Sequence, residues 1–286
     1  MQVTGYNAAQ ATLADCPVPP APAATTGLAW LRATVARFST GPDHTRRRAI
    51  TVTQLSTIDT GALRESARTT TIERLAPHLD LMTVGRALPT ELLAAAIDLP
   101  AATPPLIAAI ARAYLTGAPD PAADAAIELL ADTPDETTAA RIGVLAQAFG
   151  ATAGLIGNAA FLMLRNQLDD PAEAIIAETL RHTPPVRATK RLTPTGDTIE
   201  IDLAAANRDP DVFPDPDRFD PARPNRDAHL DFGSGPHQCP GHHLATAIAA
   251  GVLDAIRNQQ LITQTLIYAP PTTLRIPTHL HITPKT

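Results

Sequence analysis

Ten residues, Phe232-Gly-Ser-Gly-Pro-His-Gln-Cys-Pro-Gly241, hold the densest chemistry in the chain. Cys239 stands just ahead of an apolar helical pattern, where backbone N–H groups and the helix dipole favour a thiolate. Gly233 and Gly235 permit a tight loop and remove side chains that would block a large planar ligand. Gly241 keeps the first helical turn thin on the same side. No second cysteine or His/Cys cluster at metal spacing accompanies Cys239, which argues against zinc. A lone thiolate suits a metal that arrives with four ligands of its own, as iron does in haem. The alternative on this loop alone is a buried structural cysteine.

The elements that must position this loop are mostly helical. Patterns run from 27 to 38 around Trp30, and from Pro42-Asp43-His44 through Arg46, Arg47 and Arg48. Shorter ones lie near 90–98, 104–115 and 120–131. Asp135 to Asn166 reads as one long helix, apolar over most of its circumference and so a buried central element. The next helix starts at Asp170 as N-cap, with Pro171 in the first turn and Glu173 completing a capping box, and stops before Pro184-Pro185. Extended segments follow near 186–192 and 197–203, then a Pro/Asp-rich coil from Asn207 to Phe219. The helix after the Cys239 loop carries Leu244, Ile248, Val252 and Ile256 on one stripe. The tail alternates at Leu274, Ile276, Leu280 and Ile282, as a strand or hairpin would. The expected fold class is mainly α with small β-sheets. Residues 1–27, with Cys16-Pro17-Val18-Pro19-Pro20-Ala21-Pro22, read as an extended Pro/Ala-rich leader, and 28–286 as a single domain.

Composition narrows the classes. A total of 23 Lys+Arg against 29 Asp+Glu gives a net charge of −6, the wrong sign for a general nucleic-acid binder. Two cysteines, Cys16 and Cys239, exclude a disulfide scaffold, and Cys16 reads as an incidental thiol. No uninterrupted apolar run approaches about 18 residues, so no membrane span is expected, and the cytoplasm is the default compartment. The 28 prolines and the many alanines suggest a GC-rich bacterial source.

The 232–241 segment resembles the haem-binding loop of the cytochrome P-450 superfamily, with Phe232, Gly233, Gly235, His237, Cys239 and Gly241 in register. Other segments resemble the family in the same order. Glu178-x-x-Arg181 is similar to its Glu/Arg helix pair, which with an arginine of the coil, here Arg218, would form a buried ion triad with a folding role. The resemblance implies haem b, with the Cys239 thiolate as axial ligand to iron. It also implies that His44, Arg48, Arg191 and His237 meet the haem propionates, Arg best through a bidentate fork.

The family's central helix carries an acid and then a threonine that deliver protons over the iron. Here Gly150 falls at the acid and Ala151 at the threonine, with Thr152 one residue late and turned about 100° round the helix. The chain is also shorter than an ordinary member, with its losses near the N-terminus and among the substrate-side helices. That implies a wide or partner-completed pocket. The resemblance implies a monooxygenase acting on a small or carrier-bound natural-product intermediate. A ferredoxin-type donor would dock on the Cys239 face, where Arg46 and Arg47 could supply a local basic patch. Two alternatives stand beside it. One is an atypical haem enzyme, driven by peroxide or catalysing dehydration, rearrangement or N–O chemistry. The other is a non-catalytic haem-binding helper or sensor. Neither nucleic acid nor a membrane is an expected partner.

Overall fold

The apolar run after Asp135 folds as its spacing predicts, into one unbroken helix that other elements surround. The computed structural model describes residues 1–269 and 273–285. It opens with strand β1 (Gln2–Val3) and helices α1 (Tyr6–Asp15), α2 (Gly27–Thr34), α3 (Gly41–Ser56) and α4 (Thr60–Arg74). Strand β2 (Leu79–Asp80) leads into α5 (Leu81–Ala96), α6 (Pro104–Tyr114), α7 (Pro121–Leu130), the central α8 (Glu136–Arg165) and α9 (Ala172–His182). Strands β3 (Ala188–Leu192) and β4 (Thr198–Asp202), the short α10 (Leu203–Ala206), α11 (His242–Ala255), β5 (Gln259–Leu261) and β6 (His281–Pro284) complete the order. The class is mainly α with small sheets. One sheet runs β1-β4-β3, with β1 parallel to β4, and the other runs β2-β6-β5, antiparallel throughout.

Asp135 caps α8 by accepting the Thr138 N–H at 2.7 Å. By length and composition α8 could cross a membrane, but 67% of its most apolar stretch is buried inside the protein. It is the core helix: α2, α3, α5, α6, α9 and α11 all pack on it. Asn158, in its second half, donates to the carbonyls of Thr183 and Arg275 and so ties the end of α9 and the tail to one point.

Two expectations about local structure need correction. The 1–27 segment is not an extended leader throughout. Proline is confined to 17–22, and the residues before it have a helical apolar face, Tyr6, Ala9 and Leu13, which α1 buries beside Ile201 and Phe213. The Tyr6 hydroxyl donates to the Ala228 carbonyl at 2.6 Å, fastening this helix to the chain just ahead of the Cys239 loop. The α9 start also differs. Pro171, not Asp170, is the N-cap, and no side chain caps the helix. The carbonyl of Asp170 instead receives the Arg257 guanidinium at 3.1 Å.

The ion triad is present with one changed member. Glu178 and Arg181, both fully buried, form a two-point pair at 2.8 and 2.7 Å. The coil wraps this pair with its carbonyls inward: those of Asn207, Pro216 and Arg218 all accept from Arg181. Because residue 218 turns its carbonyl in, its side chain points out, 67% exposed and 3.6 Å from Asp220. The third cation is Arg223, buried, with Nε 3.4 Å from Glu178 Oε1. Arg223 also holds the carbonyls of Asp215 and Arg218.

Candidate active site

The Cys239 loop folds back on itself through the Cys239 N–H, which donates to the Phe232 carbonyl at 2.8 Å. Gly233 and Gly235 both take positive φ, 75° and 70°, a conformation that side chains other than glycine's rarely adopt. A Cβ on Gly235 would also fall 2.6 Å from Ala14 Cα, since the loop rests against the end of α1. Gly241 is the N-cap of α11, so Cys239 sits three residues before the first helical residue. Its thiol is half-buried. Burial pushes the thiol's pKa up, while the Gly241 N–H and the Arg37 and Arg48 charges pull it down and Asp231 pushes it further up. The net direction is upward, so an unbonded Cys239 is a neutral thiol near pH 7. A metal cation at sulfur reverses that balance.

Positive charge converges on this loop. His44 and Arg48 lie one turn apart on α3, and the His44 ring packs on His237 with centroids 4.1 Å apart. Arg48 donates to the Gln238 carbonyl at 2.9 Å. Arg191, on β3, is buried to 3% exposure, and its Nε finds no hydrogen-bond partner. Arg37 is a fifth member, with its Nε also buried and unpartnered. Burial first, and then the neighbouring His44, Arg191, Arg48 and Arg37, lower His237 to about 4, so its ring is neutral near pH 7. Among the described residues, no carboxylate pairs with any of the five. Buried cations without counter-charge are costly. A ligand carrying carboxylates would satisfy Arg191 and Arg37, and a metal would satisfy the thiol. Haem, which brings two carboxylates and an iron that a thiolate can bind, fits both demands.

Arg37 escaped the sequence reading because Val35-Ala-Arg-Phe38 looks like the frayed end of the Trp30 helix. Its signal is only visible in space: α2 ends at Thr34, and a 3-10 turn over Ala36–Phe38 carries the arginine instead. Cys16, read as incidental, packs against the buried cluster of Tyr6, Leu13 and Ile201.

The predicted basic patch on α3 is not free. Arg46 makes two hydrogen bonds to Glu136, at 2.9 and 2.7 Å, and an ion pair with Asp43. Arg47 is bonded to Glu136, the Ala33 carbonyl and Ser39 Oγ. Both arginines serve to anchor the start of α8. Hydrogen bonds from Arg46, and after them from Arg47, hold the Glu136 carboxyl at about 2 instead of the ordinary 4.5. A depressed carboxylate contributes stability that is complete above its unfolded value and lost as pH falls through its folded one. Between about pH 4.5 and 2, the denaturation midpoint of wild type should therefore fall more steeply than that of Glu136→Gln. Parallel curves for the two proteins would show that the Arg46–Glu136–Arg47 cluster adds nothing.

On α8, Gly150 and Thr152 are buried and Ala151 is half-buried. The helix is regular through all three, so Thr152 keeps its roughly 100° offset from Ala151. Position 150 is tight, and a longer side chain there would require the Leu274 and Ile276 side chains to shift. A Cβ there would stand 2.8 Å from Leu274 Cδ1 and 3.1 Å from Ile276 Cδ1. The tail that brings these two residues is held by main-chain bonds from Arg275 N–H to the Pro185 carbonyl and from Arg187 N–H to the Thr273 carbonyl.

Residues 172–256 match the family model for cytochrome P-450. The 6-deoxyerythronolide B hydroxylase of Saccharopolyspora erythraea is 37% identical over 130 residues, 39% of this chain and 32% of that protein. Protein DesVIII of Streptomyces venezuelae is 40% identical over 123 residues, 36% of this chain and 29% of that protein. The chain thus spans about a third of the length of these curated relatives. In fold it is similar to P450BioI in complex with an acyl carrier protein ligated to hexadec-9Z-enoic acid. That likeness has a TM-score of 0.82 at 22% identity, and covers 99% of this chain and 91% of that one. Residues 172–256, which include the Glu178–Arg181 pair and the Cys239 loop, are thus similar in sequence to the cytochrome P-450 superfamily, and the described fold is similar to that of a solved cytochrome P-450 structure.

Proposed function

We propose that this chain is a haem-thiolate oxidoreductase of bacterial natural-product type, with Cys239 as the iron ligand and a small or carrier-bound molecule as substrate. The family binds haem through a cysteine thiolate. The observation that carries the assignment here is Cys239 with the Gly241 N–H at its sulfur, beside three guanidinium groups, Arg37, Arg48 and Arg191, that no carboxylate among the described residues neutralises, and two imidazoles, His44 and His237. Haem on a thiolate supplies oxidation chemistry, because the sulfur pushes electron density toward iron and favours O–O cleavage. Arg37, Arg48, Arg191, His44 and His237 would bind and orient the propionates. Phe232, whose carbonyl holds the Cys239 N–H, and Gly233, Gly235 and Gly241 would keep the sulfur in place. A 6-deoxyerythronolide B hydroxylase and an acyl-carrier-protein complex among the similar proteins support the substrate class. A ferredoxin-type donor on the Cys239 face, and a cytoplasmic setting, belong to the same reading. Since Arg46 and Arg47 are engaged by Glu136, docking would rest on other groups of that face.

Proton supply sets the kind of oxidation. Hydroxylation of a C–H bond with dioxygen consumes two electrons and two protons and yields one water. With hydrogen peroxide the oxidant brings both, and water is again the by-product. Gly150 and Ala151 cannot hold or move a proton, and the Leu274 and Ile276 side chains pack against the space at position 150. The dioxygen route should therefore be poorly coupled. Oxidation of a chromogenic phenol by the haem-loaded protein should run at least about tenfold faster with hydrogen peroxide than with a surrogate ferredoxin, its reductase and dioxygen. Most donor electrons should appear as released peroxide. Tightly coupled dioxygen turnover would show that Thr152 or another group replaces the missing relay.

A further inference from the structure

We propose that Asp80, His279 and His281 form a site for a divalent transition-metal ion, of which Zn²⁺ is the natural probe, and that the ion clamps the tail to the start of α5. The three residues come from segments far apart in sequence that the second sheet brings together. In the β2–β6 pairing Asp80 stands directly opposite His281. His279 lies two residues before His281, on the same side of an extended chain, and the two rings stack 5.8 Å apart at 19°. One nitrogen from each ring and one carboxylate oxygen all lie within 4.8 Å of one another. Tetrahedral zinc with bonds near 2.0–2.1 Å needs donors about 3.4 Å apart, which small side-chain rotations supply.

The backbone around the site is already fixed. Asp80 Oδ1 accepts from the N–H groups of Met82 and Leu280, at 3.1 and 2.9 Å, which orients the carboxylate and leaves Oδ2 toward the histidines. Oδ2 meets His279 Nδ1 at 2.7 Å. Arg86 holds the carbonyls of Pro277 and Thr278, and Thr263 Oγ1 accepts the His281 N–H. Outer bonds of this kind are what orient metal ligands in built sites. The Asp80 carboxyl is also kept ionised: burial pushes it up, but the Leu280 N–H, the His279 ring and the Met82 N–H outweigh burial and hold it low. Binding at Nδ1 replaces the His279–Asp80 hydrogen bond, with the ring proton moving to Nε2 or to solvent. No electron transfer is involved. Imidazole and carboxylate together suit zinc, nickel or copper, and the exposed His279 leaves an open position for water.

The ion would matter because the same tail carries Leu274 and Ile276 onto α8. The experiment titrates Zn²⁺ alone into the haem-loaded protein, where Cys239 would be occupied, in competition with a chromogenic chelator. One equivalent should bind, and thermal unfolding should shift upward with Zn²⁺. His279→Ala, at an exposed position, should weaken binding about 100-fold and abolish the shift while leaving the haem spectrum unchanged. Asp80→Asn keeps a helix-capping acceptor but removes the charge, and should also weaken binding at least about tenfold. No binding to wild type at 100-fold excess of Zn²⁺ over protein, roughly the range in which exposed histidines bind weakly, would overturn the site. So would equal affinity in wild type and His279→Ala.

Discussion

Glu178→Ala is expected to cost about 3–5 kcal/mol and to leave a chain that barely folds. Glu178 is fully buried and answers two guanidinium groups, Arg181 at 2.7 Å and Arg223 at 3.4 Å, as well as the Asp220 N–H at 3.0 Å. Removing the carboxylate strands two buried positive charges whose remaining partners are carbonyls. Total stability of a domain is about 5–15 kcal/mol, so the loss is a large part of it. The loss also reaches the site, because the coil held by this pair leads directly into the Cys239 loop. Arg223→Ala should cost about 2–4 kcal/mol, whereas Arg218→Ala, with its exposed side chain, should stay within about 0.5 kcal/mol of wild type. Urea denaturation of the three variants checks the order. An Arg218→Ala loss equal to that of Glu178→Ala would return the third place in the triad to Arg218.

The second large effect concerns the two cysteines. Cys239→Ser should abolish the thiolate-type spectrum of the haem-loaded protein while leaving its helical content in place, since serine fits the same loop. An alcohol does not ionise near neutral pH, so the Gly241 N–H and the Arg37 and Arg48 charges would face a neutral oxygen. Cys16→Ser should leave the spectrum unchanged. That contrast is sharper than the sequence suggests, because Cys16 packs beside the buried cluster of Tyr6, Leu13 and Ile201. A spectrum that survives Cys239→Ser, or disappears with Cys16→Ser, would move the ligand assignment. Absorption spectra of the oxidised and reduced proteins, with haem content determined separately, decide it.

What was legible in the sequence is what depends on local rules. The long apolar period set the span of α8 to within a residue at each end, and its cap at Asp135. Glycines, prolines and the cysteine marked the loop because their backbone requirements are intrinsic. Three features were not legible, each for the same reason. The third arginine of the triad depends on which way a coil turns its carbonyls, and Arg218 and Arg223 look alike in one dimension. Arg37 depends on a helix ending early. The role of Arg46 and Arg47 depends on Glu136, about 90 residues away in the chain, arriving beside them. The short N-terminal helix failed as an expectation because the proline run next to it dominated the reading, although Tyr6, Ala9 and Leu13 already had helical spacing. Position 150 shows the reverse case. The sequence places a glycine there, and the structure adds that the Leu274 and Ile276 side chains pack against it.

The central claim is that Cys239 holds haem iron as a thiolate. The direct test is the carbon monoxide difference spectrum of the reduced protein after expression with haem supplementation. A red-shifted, thiolate-type Soret band, with about one haem per chain, is the result this account predicts. A chain that folds yet takes up no haem, or that shows the unshifted band of a histidine-ligated or neutral-thiol haem, would contradict it.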